Sequence, residues 1–140
     1  MLTIRRLDLV EAQAMIAAAR AAAEEIGVPM CIAVTDESGL LIAFERMDGA
    51  KLFGVTLAVD KAFTAAGARK PSHELAQAVQ PGAPAYGLNA AHGGRIVAVA
   101  GGVPVVVGGA VLGAIGVSSG TPEQDRAVAE AGVAALAGLH

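Results

Sequence analysis

Apolar residues along this chain follow two alternating periods. Leu9, Ala12, Ile16, Ala19, Ala23 and Ile26 recur every three or four residues and so fall on one stripe of a helix. Polar positions frame that stripe: Asp8 and Glu11 have the spacing of a capping box, and Gly27 ahead of Pro29 supplies the stop. The period then shortens. Stretches 30–35 and 40–46 are strand-sized and flank Asp36-Glu37-Ser38-Gly39, whose residues suit a tight reversal, so the two form a hairpin. Helical spacing returns over 52–66, with Leu52, Val55, Val59, Ala62, Phe63 and Ala66 on one side, and Ser72 offers a cap for a shorter helix to residue 80.

Residues 81–94 carry two prolines and four glycines, and connections of that length inside compact domains tend to be functional or disordered, which makes this segment the leading candidate for a site loop. Beyond it, 96–100, 103–107 and 110–118 are β-branched runs divided by Gly101-Gly102 and Gly108-Gly109, and they read as three antiparallel strands in succession. Thr121, Pro122 and Gln124 start a final helix running towards Leu139. The order lacks the strand–helix alternation of a parallel sheet. It predicts an α+β fold, an antiparallel five-stranded sheet with helices packed on it, in one domain over 1–140.

Composition adds a surplus. Of the 140 residues 54 % are apolar, with 18 glycines besides, more than one small core hides. No apolar stretch approaches the ~20 residues of a membrane helix, so the surplus is assigned to contacts between copies, a homo-oligomer, and the uncharged stretch 131–139 is the natural face for it. Arg5 and Arg6 are followed at once by Asp8 and Glu11, with no apolar leader, which predicts a cytoplasmic protein. A net charge of −3 with 3 % aromatics supplies neither a phosphate-binding stripe nor a stacking platform, against nucleic acid as a partner. Cys31 sits in an apolar run and reads as a buried structural thiol.

Several phrases together resemble one family: Val34-Thr35-Asp36-Glu37-Ser38-Gly39, Arg46-Met47-Asp48-Gly49-Ala50, Lys61-Ala62-Phe63-Thr64-Ala65, Gly101-Gly102-Val103-Pro104, Gly113-Ala114-Ile115-Gly116-Val117-Ser118, and Glu123-Gln124-Asp125 ahead of Ala131-Gly132. They are similar, in order and over nearly the whole chain, to the GlcG/HbpS-like haem-binding family, which includes the C-terminal domain of PduO. The resemblance implies a profilin-like fold, oligomeric assembly and, as in HbpS-like members, haem or iron binding. Two departures stand out. The first helix contains no His, whereas PduO-type members take a haem ligand from that region, and Ser119 replaces the familiar glycine after Val117-Ser118.

The residues themselves leave the chemistry open. His73 and His92 flank the long loop and suit a metal, a haem or a substrate carbonyl, although histidines so placed are more often exposed or capping. The run from His73 to Gln77 lacks the second His of a zinc helix. Lys61 faces Gly54, Leu57, Ala58 and Ala65 at helical spacing, and Asp60 is badly oriented to neutralise it, so it is either a snorkelling side chain or an anion clamp. Arg46, Asp48 and Gly49 lie at a strand end before a helix: Gly49 permits close approach of a ligand, Arg46 suits a carboxylate, and Asp48 serves equally as a helix cap. Two functions fit. One is a haem or small-molecule binder built from these residues; the other is an isomerase, lyase or hydrolase acting on a small anionic catabolic intermediate.

Overall fold

The computed structural model describes residues 1–137. Helix α1 (Leu9–Ile26) starts and stops on the residues its sequence offers: Asp8 accepts from the Glu11 amide, Glu11 accepts from the Asp8 amide, and Gly27 adopts φ 70°. Strands β1 (Cys31–Asp36) and β2 (Leu41–Arg46) follow as an antiparallel hairpin. Its turn is tied by one carboxylate, because Asp36 Oδ1 accepts from the amides of Ser38 and Leu40 at 2.8 and 3.1 Å. Helix α2 (Gly54–Ala68) comes next, then β3 (Gly102–Val107), β4 (Ala110–Ser118) and α3 (Pro122–Ala134), the last capped by Thr121 and Gln124.

The four strands lie in the order β2-β1-β4-β3, all antiparallel, so two hairpins join along β1 and β4. Helices α1 and α3 cover one face, where Ile32, Val34, Ile115 and Val117 meet Met15, Ala19, Val128 and Ala129. Full burial of each larger aliphatic there contributes about 1.5–3 kcal/mol. Helix α2 covers the other face with alanines, Ala58 against Cys31 and Ala33, and Ala65 and Ala66 against Ala114. Small residues let backbones meet: a side chain on Gly116 would overlap the Ala58 carbonyl, and one on Gly102 the Lys61 carbonyl. No helix among the described residues is long and apolar enough to cross a membrane.

Three expectations need correction. The sheet has four strands, because 96–100 is not one of them. Its backbone is held against α2 and the 3-10 turn after it instead: the Val97 amide donates to Thr64 Oγ1 at 2.9 Å, and Ser72 Oγ donates to the Val99 carbonyl at 2.6 Å. The helix expected from Ser72 to residue 80 is only a 3-10 turn, Ser72–Leu75, since the Ser72 hydroxyl is spent on Val99 and on the Gly102 amide rather than on a cap. Helix α3 ends at Ala134, and Gly132 and Leu136 pack into the core, so among the described residues after 130 only the small side chains of Ala134, Ala135 and Ala137 are exposed. Leu139 lies outside the described residues.

Candidate functional site

The C-terminal half of α2 and the segment after it enclose a cleft of about 260 Å³, walled by Phe63, Leu75, Leu88 and Ile96 and floored by Gly67 and Ala68. His92 stands at this cleft, exposed, in a 3-10 turn (His92–Gly94) that holds its backbone at φ 54°. Its ring meets Phe63 edge-on, centroids 5.5 Å apart at 70°. The Arg95 guanidinium lies 3.9 Å from the centroid of the same Phe63 ring and pairs through Nε with Asp60 at 2.9 Å. Thr64 completes the frame by donating to the Asp60 carbonyl and accepting from Val97. The chain just after the histidine is thus pinned to α2 through Arg95 and Val97. An imidazole over apolar walls suits a flat, largely apolar ligand that takes a nitrogen donor or exchanges a proton.

His73 sits in the 3-10 turn Ser72–Leu75 and does not line that cleft. Its Nδ1 is buried without a hydrogen-bond partner, so that nitrogen faces the interior rather than a ligand in solvent. Among the described residues no group of three or more His, Cys, Asp or Glu side chains gathers as a metal site, which leaves a metal at His73 and His92 without the carboxylate or thiolate company such ions usually take.

Lys61 is fully engaged. Its ammonium donates to Asp125 Oδ2 at 2.8 Å, to the Val117 carbonyl at 3.1 Å and to Ser118 Oγ at 3.5 Å, with side-chain exposures of 3 % for Lys61 and 4 % for Asp125. Three donors are matched to three acceptors, which leaves none for a ligand. Asp125 escapes sequence reasoning because it stands 64 positions away, among first-turn charges of α3 that resemble ordinary helix-start acids.

Arg46, Asp48 and Gly49 lie by the opposite end of α2 from His92, and a 15-residue helix spans about 22 Å. The two candidate clusters therefore do not form one pocket. Arg46 pairs across the hairpin with Cys31, whose thiol burial pushes up in pKa while Arg46 draws it back. Asp48 is exposed, makes no ion pair with Arg46 and does not cap α2, whose N-cap is Phe53. Gly49, at φ 88°, shares a shallow hollow of about 310 Å³ with Lys51, Ser119 and Thr121. Ser119 holds φ 112°, a backbone that favours glycine, and its hydroxyl accepts from the Lys51 amide. That bond ties the loop after β2 to the end of β4.

Comparison with known proteins agrees with this architecture. The chain matches the family described as haem degrading protein HbpS-like over residues 7–134. A 15.0 kDa protein of the dhaT-dhaS intergenic region of Citrobacter freundii is 44 % identical over 127 residues, 91 % of this chain and 89 % of its own length. The crystal structure of Klebsiella pneumoniae ORFY superposes with a TM-score of 0.97 at 35 % identity, covering 100 % of this chain and 97 % of that one. The crystal structure of a PduOC–haem complex gives 0.91 at 33 % identity, covering 94 % and 96 %. With the family matched across both hairpins and all three helices, the chain belongs to the HbpS-like family.

Proposed function

We propose that the protein is a haem-binding accessory domain whose seat for the macrocycle is the cleft between α2 and the loop carrying His92. The observation that carries this reading is the exposed imidazole at an apolar cleft, in a family where a PduOC structure contains haem. With no histidine on α1, the ligand to iron must come from elsewhere, and among the described residues His92 is the histidine whose ring reaches a cleft. The residues fit part of the group. A volume of about 260 Å³ lies below the ~300–1,000 Å³ of sites that engulf a ligand, so the cleft grips one edge and leaves the rest exposed or covered by a second copy. Haem would supply an iron centre for ligand or electron exchange. His92 holds it, Phe63 fixes the imidazole's orientation, and Leu75, Leu88 and Ile96 exclude water from the gripped edge.

Self-association belongs to the same reading. Leu52 and Phe53 are 82 % and 83 % exposed at the start of α2, an apolar pair that a second copy would cover. Size exclusion with light scattering should give at least twice 13.8 kDa, lowered by Leu52→Glu with Phe53→Glu. Titration of haemin should produce a saturable Soret shift that His92→Ala abolishes and His73→Ala retains. Equal spectra for wild type and His92→Ala would remove His92 as the ligand, and no shift at all would remove haem.

A further inference from the structure

A second concavity, about 500 Å³, lies on the side of the molecule where the N-terminal segment passes the β3–β4 turn. It brings Arg5, Glu37 and Arg69 together with the turn residues Gly108 and Gly109. The acidic member is already neutralised, because Glu37 receives Arg6 Nε at 2.8 Å and Arg6 Nη2 at 2.5 Å. That pairing lowers the Glu37 pKa and keeps it an anion committed to Arg6. Arg5 and Arg69 make no ion pair and no side-chain hydrogen bond among the described residues. Two guanidinium groups therefore border one groove without an anion of their own.

The turn between them is bare. Gly108 and Gly109 hold φ 56° and 80°, a side chain at either would meet nothing within 4 Å, and neither amide donates to a carbonyl outside the strands among the described residues. Arg69 itself closes α2 with φ 59°, a place where glycine is usual. The rest of the wall is apolar, from Leu2, Ile4 and Val111. The geometry points to a binding site for a small organic carboxylate: Arg5 and Arg69 hold the carboxylate, the glycine turn admits it to backbone amides, and the apolar wall takes its hydrocarbon part. The site shares no lining residue with the His92 cleft and stands or falls independently of haem.

Amide chemical shifts of the full chain, titrated with acetate, butyrate, hexanoate and inorganic phosphate, test this. Saturable shifts should appear at Arg5, Arg69, Gly108 and Gly109, with affinity rising from acetate to hexanoate. Arg5→Gln and Arg69→Gln should each weaken hexanoate about tenfold or more while leaving the remaining spectrum folded. Haemin added to the same sample should shift residues around His92 and leave these alone. The inference is overturned if phosphate binds as well as hexanoate, if shifts persist unchanged in the double Arg5→Gln/Arg69→Gln variant, or if they centre on Arg46 and Lys51.

Discussion

Removing either member of the buried pair Lys61–Asp125 should destabilise the protein more than almost any other polar substitution. Each side chain is almost completely enclosed, so each depends on the other for the charge it lost to water. Asp125→Ala leaves the ammonium with only the Val117 carbonyl and the distant Ser118 hydroxyl, and also deprives the Gly120 amide of its acceptor at 2.9 Å. An uncompensated buried charge costs about 3–5 kcal/mol, and one lost hydrogen bond adds about 1. Against a total stability of ~5–15 kcal/mol, that removes roughly a quarter or more. Asp125→Asn should cost less, because its amide oxygen still serves Gly120 or Lys61. Lys61→Met combined with Asp125→Leu removes both charges and should recover much of the loss, as apolar replacements of buried pairs do. Urea unfolding of the wild type, Lys61→Met, Asp125→Leu and the double variant measures the cycle. Single losses below about 1 kcal/mol, or a double variant whose loss equals the sum of the singles, would refute the account of an enclosed, mutually dependent pair.

Other substitutions test separate joints. Gly116→Ala puts a methyl into the Ala58 carbonyl and should cost about 3 kcal/mol or more by forcing α2 off the sheet, seen as a lower unfolding midpoint in urea. Ser72→Ala loses its bonds to Val99 and Gly102 and should cost about 2–3 kcal/mol, with hydrogen exchange rising first over 97–102. Leu136→Glu, 3 % exposed in the core, should lower the thermal midpoint rather than merely change the mass in light scattering. For Asp36, burial raises the pKa but is outweighed by hydrogen bonds from Ser38 and Leu40 and by Arg6, leaving it lowered. A lowered folded pKa means stability that is complete above the ordinary carboxylate range and lost as pH falls below roughly 4, so Asp36→Asn should flatten the acid limb of a stability–pH curve. An unchanged limb would show that other carboxylates set it.

The sequence by itself determined whatever depends on neighbours within a turn or two. Asp8, Glu11 and Gly27 bound α1, Thr121 and Gln124 start α3, and Gly108-Gly109 closes the β3–β4 hairpin, because caps and tight turns are satisfied by residues three or four positions apart. The family was legible for the same reason, its phrases being local runs. Contacts between distant segments decided the rest. Residues 96–100 have strand composition, yet Thr64 on α2 and Ser72 in the turn after it draw their backbone away from the sheet, so β propensity yielded to tertiary hydrogen bonds. Lys61 looked solitary because its partner lies 64 positions away on another helix. Arg46 and His92 read as one pocket until α2 was seen to separate them, and Arg5 and Arg69, unremarkable in sequence, share a groove because the N-terminal segment passes the end of that helix. Charge pairing and cavity shape depend on through-space distance, which one-dimensional spacing does not encode across a fold.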